Sequence, residues 1–378
     1  MQPFSAARTL IVLTLLCVHA ALCRAEAFSC SGAVPVSRSE SVVTLLQWLR
    51  SNGATFPKVE IFVDGKACTA DGCKSRSANG DDMVATGDHA AGAFARHPIV
   101  ANETVVVIPK QLLMEHDAVH RDPIVQTIVA RSTSNVPTRT LLAVAILEHR
   151  RRHHCHDSAG SISNDTTIGF GPFTAALPQT FWQLPQLFDT AQVIASSLYR
   201  LVNCSFLSTH PDLFRCCCCD DQFAQLDGST LSRHVKQSNS TEVKAYSRLC
   251  KLAPTFCHHH SLYDFIWAKC NVHSRAFGLR IREPGIADHS SAQSVMIPLV
   301  DMLNHRRNPN LRWRFDPERQ AAVLDAVRDV AVGQELTSPY GHRTSQHYFQ
   351  SYGFVPTGQP VAEGAPGNLC QCRGQRMQ

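Results

Sequence analysis

Met296-Ile297-Pro298-Leu299-Val300-Asp301-Met302-Leu303-Asn304-His305-Arg306-Arg307-Asn308-Pro309-Asn310 is the stretch on which the reading of this chain turns. An apolar run leads directly into Asp301, then into the Asn304–His305 pair, then into a turn at Pro309–Asn310. Polar side chains set in apolar sequence this way are carried into a partly buried cleft, where each finds a partner or costs about 1–3 kcal/mol. A second such place follows at Gly333-Gln334-Glu335-Leu336-Thr337-Ser338-Pro339-Tyr340-Gly341, and a third at Tyr352-Gly353-Phe354-Val355.

In this order and spacing the three segments resemble the C-terminal half of a SET-domain methyltransferase. Within that family they look like the class of the Rubisco large-subunit lysine methyltransferase and the actin-histidine methyltransferase. The pattern there reads roughly P-L-x-D-M-x-N-H, then G-E-E-L-x-x-x-Y-G, then a closing G-F. The upstream flanks are similar too. Trp48–Ile61 reads W-L-x-x-N-G-A-x-F-P-K-x-E-I, Val106–Pro109 reads V-x-I-P, and Val272–Phe277 lies close to V-x-S-R-x-F. Phe170–Phe173 and Leu177–Phe181 resemble P-Y-L-x-x-L-P-x-x-F.

The resemblance covers residues 38–356 and implies an α+β protein with a SET fold, small β-sheets closed by a pseudo-knot. It places the SET parts at about 58–109 and 293–356, with a helical insert at about 110–292 between them. Residues 357–378 are Gly- and Pro-rich and read as a flexible tail. Rubisco-type relatives continue into a helical substrate-binding domain, which this chain is not expected to hold.

The resemblance also implies S-adenosyl-L-methionine as cofactor. Its binding residues would be Arg38, the loop His89-Ala90-Ala91-Gly92, Arg275, Asp301, Asn304 and His305, with Tyr352 and Phe354 lining the adenine side. Arg275 would hold the cofactor carboxylate, which a planar guanidinium suits through paired hydrogen bonds; a structural salt bridge is the alternative. For Arg38 the alternative is a solvated residue at a helix start, and for Asp301 a capping role. Asn304 would bind by its amide and His305 largely through its backbone. The loop departs from the family's E-G-x-G-L-x-A: His89 replaces the Glu and Ala90 the first Gly, leaving Gly92 for close backbone approach. Tyr340 would be the catalytic residue, its hydroxyl orienting the nucleophile or contacting the methyl.

That chemistry needs a neutral acceptor amine. A free lysine is only roughly 0.04% neutral at pH 7. Burial in an aromatic channel beside a sulfonium would lower its pKa, whereas a histidine acceptor is already mostly neutral. Protein lysine is the expected target, with histidine as the other. A catalytically silent SET module that binds a protein in the secretory pathway is the alternative function, favoured by His89 and Ala90.

Length and composition bound the fold. The chain has 378 residues, 44% hydrophobic and 18% charged, which describes a globular protein with room for one large domain or two smaller ones. A net charge of +5 is slight, and Arg150–Arg152 and Arg306–Arg307 read as solvated surface. No nucleic-acid partner is expected, and the protein reads as a monomer.

Residues 1–25 read as a secretory signal peptide. Met1–Arg8 carries a positive charge and no acid, Thr9–Cys23 is apolar, and Cys23-Arg24-Ala25 offers a small-x-small cleavage site. An uncleaved anchor is the alternative. Sequons at Asn102, Asn164, Asn203 and Asn239, and 16 cysteines, fit an oxidising lumen. The family mostly works in reducing compartments, so the two lines of reading conflict. Cys216–Cys219 and Cys257-His258-His259-His260 fit disulfides, free thiols or, least well, zinc, since no C-x-x-C spacing occurs there. Cys370-Gln371-Cys372 begins the pattern of a zinc tail, but Met377 stands where its last Cys belongs. No metal is expected.

Periodicity predicts helices at Ser39–Asn52, Asp122–Ala130, Thr138–Arg151, Gln186–Val202 and Ser261–Arg275, with a helical turn at Gln346–Tyr352. Strands are predicted after Lys58, at Thr104–Ile108, at Leu311–Phe315 and Ala321–Val327 as a hairpin, and at Glu335–Ser338. Ala67–Asp88, with Cys68 and Cys73, reads as a loop.

Overall fold

The computed structural model describes residues 36–75, 91–159, 169–179, 181, 184, 230–282 and 291–356. The leader, His89, Ala90, the Gln186–Val202 helix, Cys216–Cys219 and the tail lie outside the described residues.

Helix α1 (Arg38–Ser51) starts at Ser37 because Ser37 and Glu40 close a capping box, each satisfying the other's backbone N–H. It buries Val42, Leu45, Leu46 and Leu49. Gly53 (φ 87°) then turns the chain away in a conformation that glycine adopts without strain.

Strand β1 (Val59–Val63) turns through Asp64 (φ 51°) and Gly65 (φ 73°) into β2 (Lys66–Thr69), and Val63 faces Lys66. Positive φ at both turn residues is the two-residue hairpin geometry that Asp-Gly favours. β2 pairs in turn with β3 (Gly72–Ser75), with Cys68 opposite Cys73 and joined to it by a disulfide. The sequence reading of a loop from Ala67 is therefore wrong as far as Ser75. Short polar strands gave no alternation, and the Asp-Gly turn was the signal that would have found them.

β4 (Gly92–Ala95) pairs with β1 on one side and with β11 (Glu335–Ser338) on the other. β11 runs parallel to the two-residue β8 (Asn304–His305). The sheet order is thus β3-β2-β1-β4-β11-β8, which brings three remote segments to one edge. A second sheet, β5-β10-β9, joins β5 (Thr104–Pro109), β9 (Leu311–Asp316) and β10 (Ala321–Ala326), and all of β10 is buried. β6 (Ala276–Leu279) and β7 (Gln293–Met296) form a third, two-stranded sheet.

Between β5 and β6 the described residues are helical. α2 (His116–His120), α3 (Pro123–Arg131), α4 (Thr138–Ala159) and α5 (Gly171–Ala176) precede α6 (Thr230–Leu252), α7 (Pro254–His259) and α8 (Leu262–Arg275). α8 opens with a second capping box, Ser261 with Asp264, and buries Phe265–Val272 against α4. Its last residue is Arg275, so helix packing sets where that guanidinium emerges. Glu148 of α4 is 1% exposed and meets His260 (2.9 Å), Arg151 (3.0 Å) and Arg152 (3.7 Å). Cys257 is disulfide-bonded to Cys250, and His260 is held by Glu148, so the Cys257–His260 run is not assembled as a metal site. Asn239 is 8% exposed inside α6 and has no room for a glycan, whereas Asn102 stands in an exposed turn at φ 66°. No described helix is long and apolar enough to cross a membrane.

Asn310 locks the crossing of the two segments. It is 2% exposed, accepts the Thr337 N–H at 2.8 Å and donates to the Glu335 carbonyl at 2.8 Å. Its amide thereby stands in for a neighbouring strand on β11. Asn310→Ala orphans both backbone groups and is expected to destabilise the fold by about 1–3 kcal/mol. A urea midpoint that does not move would contradict this.

Candidate active site

Asp301 sits in the 3-10 turn Val300–Met302, which is entered through Leu299 at φ 72°, ψ −46°. A non-glycine residue there costs about 1–3 kcal/mol and persists only where its surroundings hold it. Here they do. Leu299 is fully buried, the Asp301 N–H donates to Ile297 at 3.1 Å, and Arg275 Nη1 donates to the Asp301 carbonyl at 2.8 Å and to its carboxylate at 3.1 Å. Burial pushes the Asp301 carboxyl upward, and the Arg275 charge opposes that shift.

Arg38, in the first turn of α1, comes close enough to this pair to sense both charges. Burial lowers its pKa, Arg275 lowers it further, and Asp64 and Asp301 act the other way. Nε of Arg38, Nε of Arg275 and Oδ1 of Asp301 are buried without a hydrogen-bond partner. Arg275 bonds Asp301, Arg38 lies within electrostatic reach of Asp64 and Asp301, and each guanidinium keeps an unspent Nε donor. Such a set fits a small anionic group such as a carboxylate.

On the sheet edge, Asn304 Nδ2 donates to the Ala91 carbonyl (3.0 Å) and to Glu335 Oε1 (2.7 Å). A Cβ at Gly92 would lie 3.0 Å from Asn304 Nδ2 and 3.1 Å from Glu335 Oε1. The glycine is required by close approach of the Asn304 and Glu335 side chains, whereas the sequence reading had it admit the cofactor. Gly92→Ala is expected to cost about 1–3 kcal/mol through overpacking, read as a lowered melting midpoint; an unchanged midpoint would refute the close contact.

The His305 ring has a structural task as well as its place in the site. Its Nδ1 accepts the Tyr340 N–H at 3.1 Å, and Nε2 lies 3.3 Å from the Tyr348 hydroxyl. Tyr348 donates its own proton to the Gly341 carbonyl at 2.5 Å, so the Nε2 proton points at Tyr348. Burial lowers the His305 pKa, only partly offset by the Ser338 carbonyl, and favours the neutral ring. The sequence assigned His305 a backbone role; the ring anchors the strand end that carries Tyr340.

The Tyr340 phenol donates to the Leu303 carbonyl at 2.7 Å, which leaves its oxygen lone pairs free to accept. Burial drives its pKa well above the ordinary range, so it stays protonated. Its ring lies 4.7 Å from Tyr352, 5.2 Å from His305 and 6.5 Å from Phe354. Tyr348 and Tyr352 share one face of α9 (Ser345–Tyr352), and Phe354 follows Gly353 at φ 76°. Burial also raises the Tyr352 pKa.

Every predicted site residue within the described part is therefore brought to one place: Arg38, Ala91, Gly92, Arg275, Asp301, Asn304, His305, Tyr340, Tyr352 and Phe354. Glu335, Asn310 and Tyr348 were not predicted as site residues. The i, i+4 spacing of Tyr348 and Tyr352 was the signal for the last of these. A cavity of about 380 Å³ beside His116 and His120, on the helical side, contains none of these groups.

The SET domain family model matches residues 90–341, more than half of the chain. The chain belongs to the SET domain family. Its relatives include the Saccharomyces cerevisiae protein-lysine N-methyltransferase EFM1, 26% identical over 96 residues, which is 25% of this chain and 16% of that protein. The mouse SET domain-containing protein 4 is 28% identical over 98 residues, 26% of this chain and 22% of its own length. Among solved structures, the SET domain of LSMT bound to lysine and AdoHcy superposes with a TM-score of 0.55 at 16% identity, covering 85% of this chain and 58% of that one. The chain matches less than two thirds of the length of each of these proteins.

Proposed function

We propose that the chain is an S-adenosyl-L-methionine-dependent protein N-methyltransferase acting on protein lysine, with histidine as the other acceptor. The observation that carries this is the pair of unpartnered guanidinium Nε atoms near Asp301, a short way along the same fold from a half-buried phenol locked to the Asn304–His305 edge. Arg38 and Arg275 would take the cofactor's carboxylate. Asn304, Ala91, Gly92 and His305 would hold its body, with His89 and Ala90 completing the loop, and Tyr352 and Phe354 would pack on its adenine. When bound, the cofactor supplies an electrophilic methyl group to a neutral amine.

The chain's own part is alignment and exclusion of water. Tyr340 keeps its proton on the Leu303 carbonyl, so its oxygen accepts an N–H of the acceptor amine and aims the nitrogen's lone pair. Apolar walls favour the neutral amine over its charged form. Neutral His305 adds no positive charge behind Tyr340. The amine's proton leaves toward solvent.

We also read the helical stretch of about 110–292 as an insert between SET parts at about 58–109 and 293–356. Residues 1–25 serve as a signal peptide for the secretory pathway, in keeping with the disulfides Cys68–Cys73 and Cys250–Cys257. The protein acts as a monomer without nucleic acid. The second reading, a silent SET module that binds a protein partner, is favoured by His89 and Ala90 in place of the family's Glu and Gly. Incubating the chain with methyl-labelled donor and a cell lysate tests the enzyme. A labelled protein band is expected, and its absence with intact donor binding would leave the silent module.

A further inference from the structure

The Tyr340 end of the site is rimmed by arginines. Arg306-Arg307 follow Asn304-His305 directly, and His342-Arg343 follow Tyr340-Gly341. Arg307, Arg343 and Arg139 are exposed. Arg139, in the first turn of α4, reaches Ser294 of β7 at 3.2 Å. The Arg343 Nε lies 3.6 Å from where a Gly341 Cβ would stand, so that side chain folds over the residue next to Tyr340. The surrounding aromatics sense these charges: Tyr352 feels Arg343 and Arg139, Tyr348 feels Arg343 and Arg307, and His305 feels Arg307.

The nearby acids are already committed. Asp301 is held by Arg275, Glu242 by Lys269 (3.4 Å) and His273 (3.8 Å), and Glu335 by Asn304 with Arg306 at 3.6 Å. Among the described residues, Arg139 and Arg307 have no carboxylate partner. A positive rim repels a protonated lysine on approach, yet favours its neutral form once inside. Carboxylates beside the target lysine would offset the first effect and keep the second.

Resting on the methyltransferase reading, we propose that this rim selects protein segments in which the acceptor residue is flanked by Asp or Glu. The occupant is an acidic stretch of polypeptide lying across Arg139, Arg307 and Arg343.

Fluorescence polarisation of three labelled peptides against the full chain with S-adenosylhomocysteine tests this without requiring turnover. Each peptide carries one central lysine, flanked by Glu, Gln or Arg. The Glu-flanked peptide is expected to bind about tenfold more tightly than the Gln-flanked one, with the Arg-flanked one weakest. The gap should shrink as salt rises from about 0.05 to about 0.5 M. The double variant Arg139→Glu/Arg307→Glu should invert the order while keeping S-adenosylhomocysteine affinity within about twofold. Equal binding of the three peptides, or an unchanged order in the variant, would overturn the proposal. So would binding of a single-stranded RNA oligomer at the same salt that excludes every peptide. Selective peptide binding with no methyl transfer would spare this surface and defeat the enzymatic reading instead.

Discussion

Tyr340→Phe is expected to lower the methyl-transfer rate by about 10- to 100-fold, the loss of one hydrogen bond worth about 1–3 kcal/mol at the reacting nitrogen. Donor binding should stay within about twofold, because the groups proposed to hold the donor are unchanged and only the phenol oxygen is lost. Ring packing against His305, Tyr352 and Phe354 survives the change. The Leu303 carbonyl loses its donor, so a modest fall in stability accompanies the kinetic effect. Single-turnover transfer of a labelled methyl separates the two consequences. Full activity in Tyr340→Phe would remove the phenol from the mechanism.

The second large effect lies away from the chemistry. Glu148 joins α4 to His260 and to two arginines in a setting 1% exposed. Glu148→Ala leaves the buried His260 Nε2 and the half-buried Arg151 without this carboxylate and is expected to destabilise the fold by about 3–5 kcal/mol. Since α4 packs on α8, and α8 ends in Arg275, donor affinity should fall as well. Glu148→Gln keeps the shape and should recover part of the loss.

The same group predicts a pH dependence. Burial alone would raise the Glu148 pKa; hydrogen bonds from His260 and Arg151 outweigh it and hold the group down at about 2. A carboxylate with a depressed folded pKa stabilises the protein above its ordinary range, near 4.5, and this contribution is lost as pH falls from there through about 2. Urea unfolding at pH 7, 4 and 2.5 should show wild type converging on Glu148→Gln at the acid end. A constant gap between the two at every pH would contradict the assignment.

Much of this site was legible because its residues interrupt apolar sequence. Asp301, Asn304 and His305 announce themselves by being polar in an apolar run, and Tyr340 by the resemblance of Gly333–Gly341 to the family's G-E-E-L-x-x-x-Y-G. Arg275 was legible through the resemblance of Val272–Phe277 to the family's V-x-S-R-x-F. What stayed hidden depends on long-range pairing. Glu148 and His260 are 112 residues apart and look like surface residues until α4 and α7 meet. Asn310 reads as a turn residue, yet its amide completes β11 from 27 residues away. Tyr348 acts through a ring and a carbonyl contributed by two other segments. The strands around the Cys68–Cys73 disulfide were too short and polar to show alternation.

The most direct test is a calorimetric titration of the chain and of Arg38→Met with S-adenosylhomocysteine. Arg38 has a buried, unpartnered Nε, so the substitution removes a proposed anion contact with little loss elsewhere. The proposal that two guanidiniums beside Asp301 receive a carboxylate predicts one site in the wild type and at least about tenfold weaker binding in the variant. No heat of binding in the wild type, or equal affinity in both proteins, would contradict it.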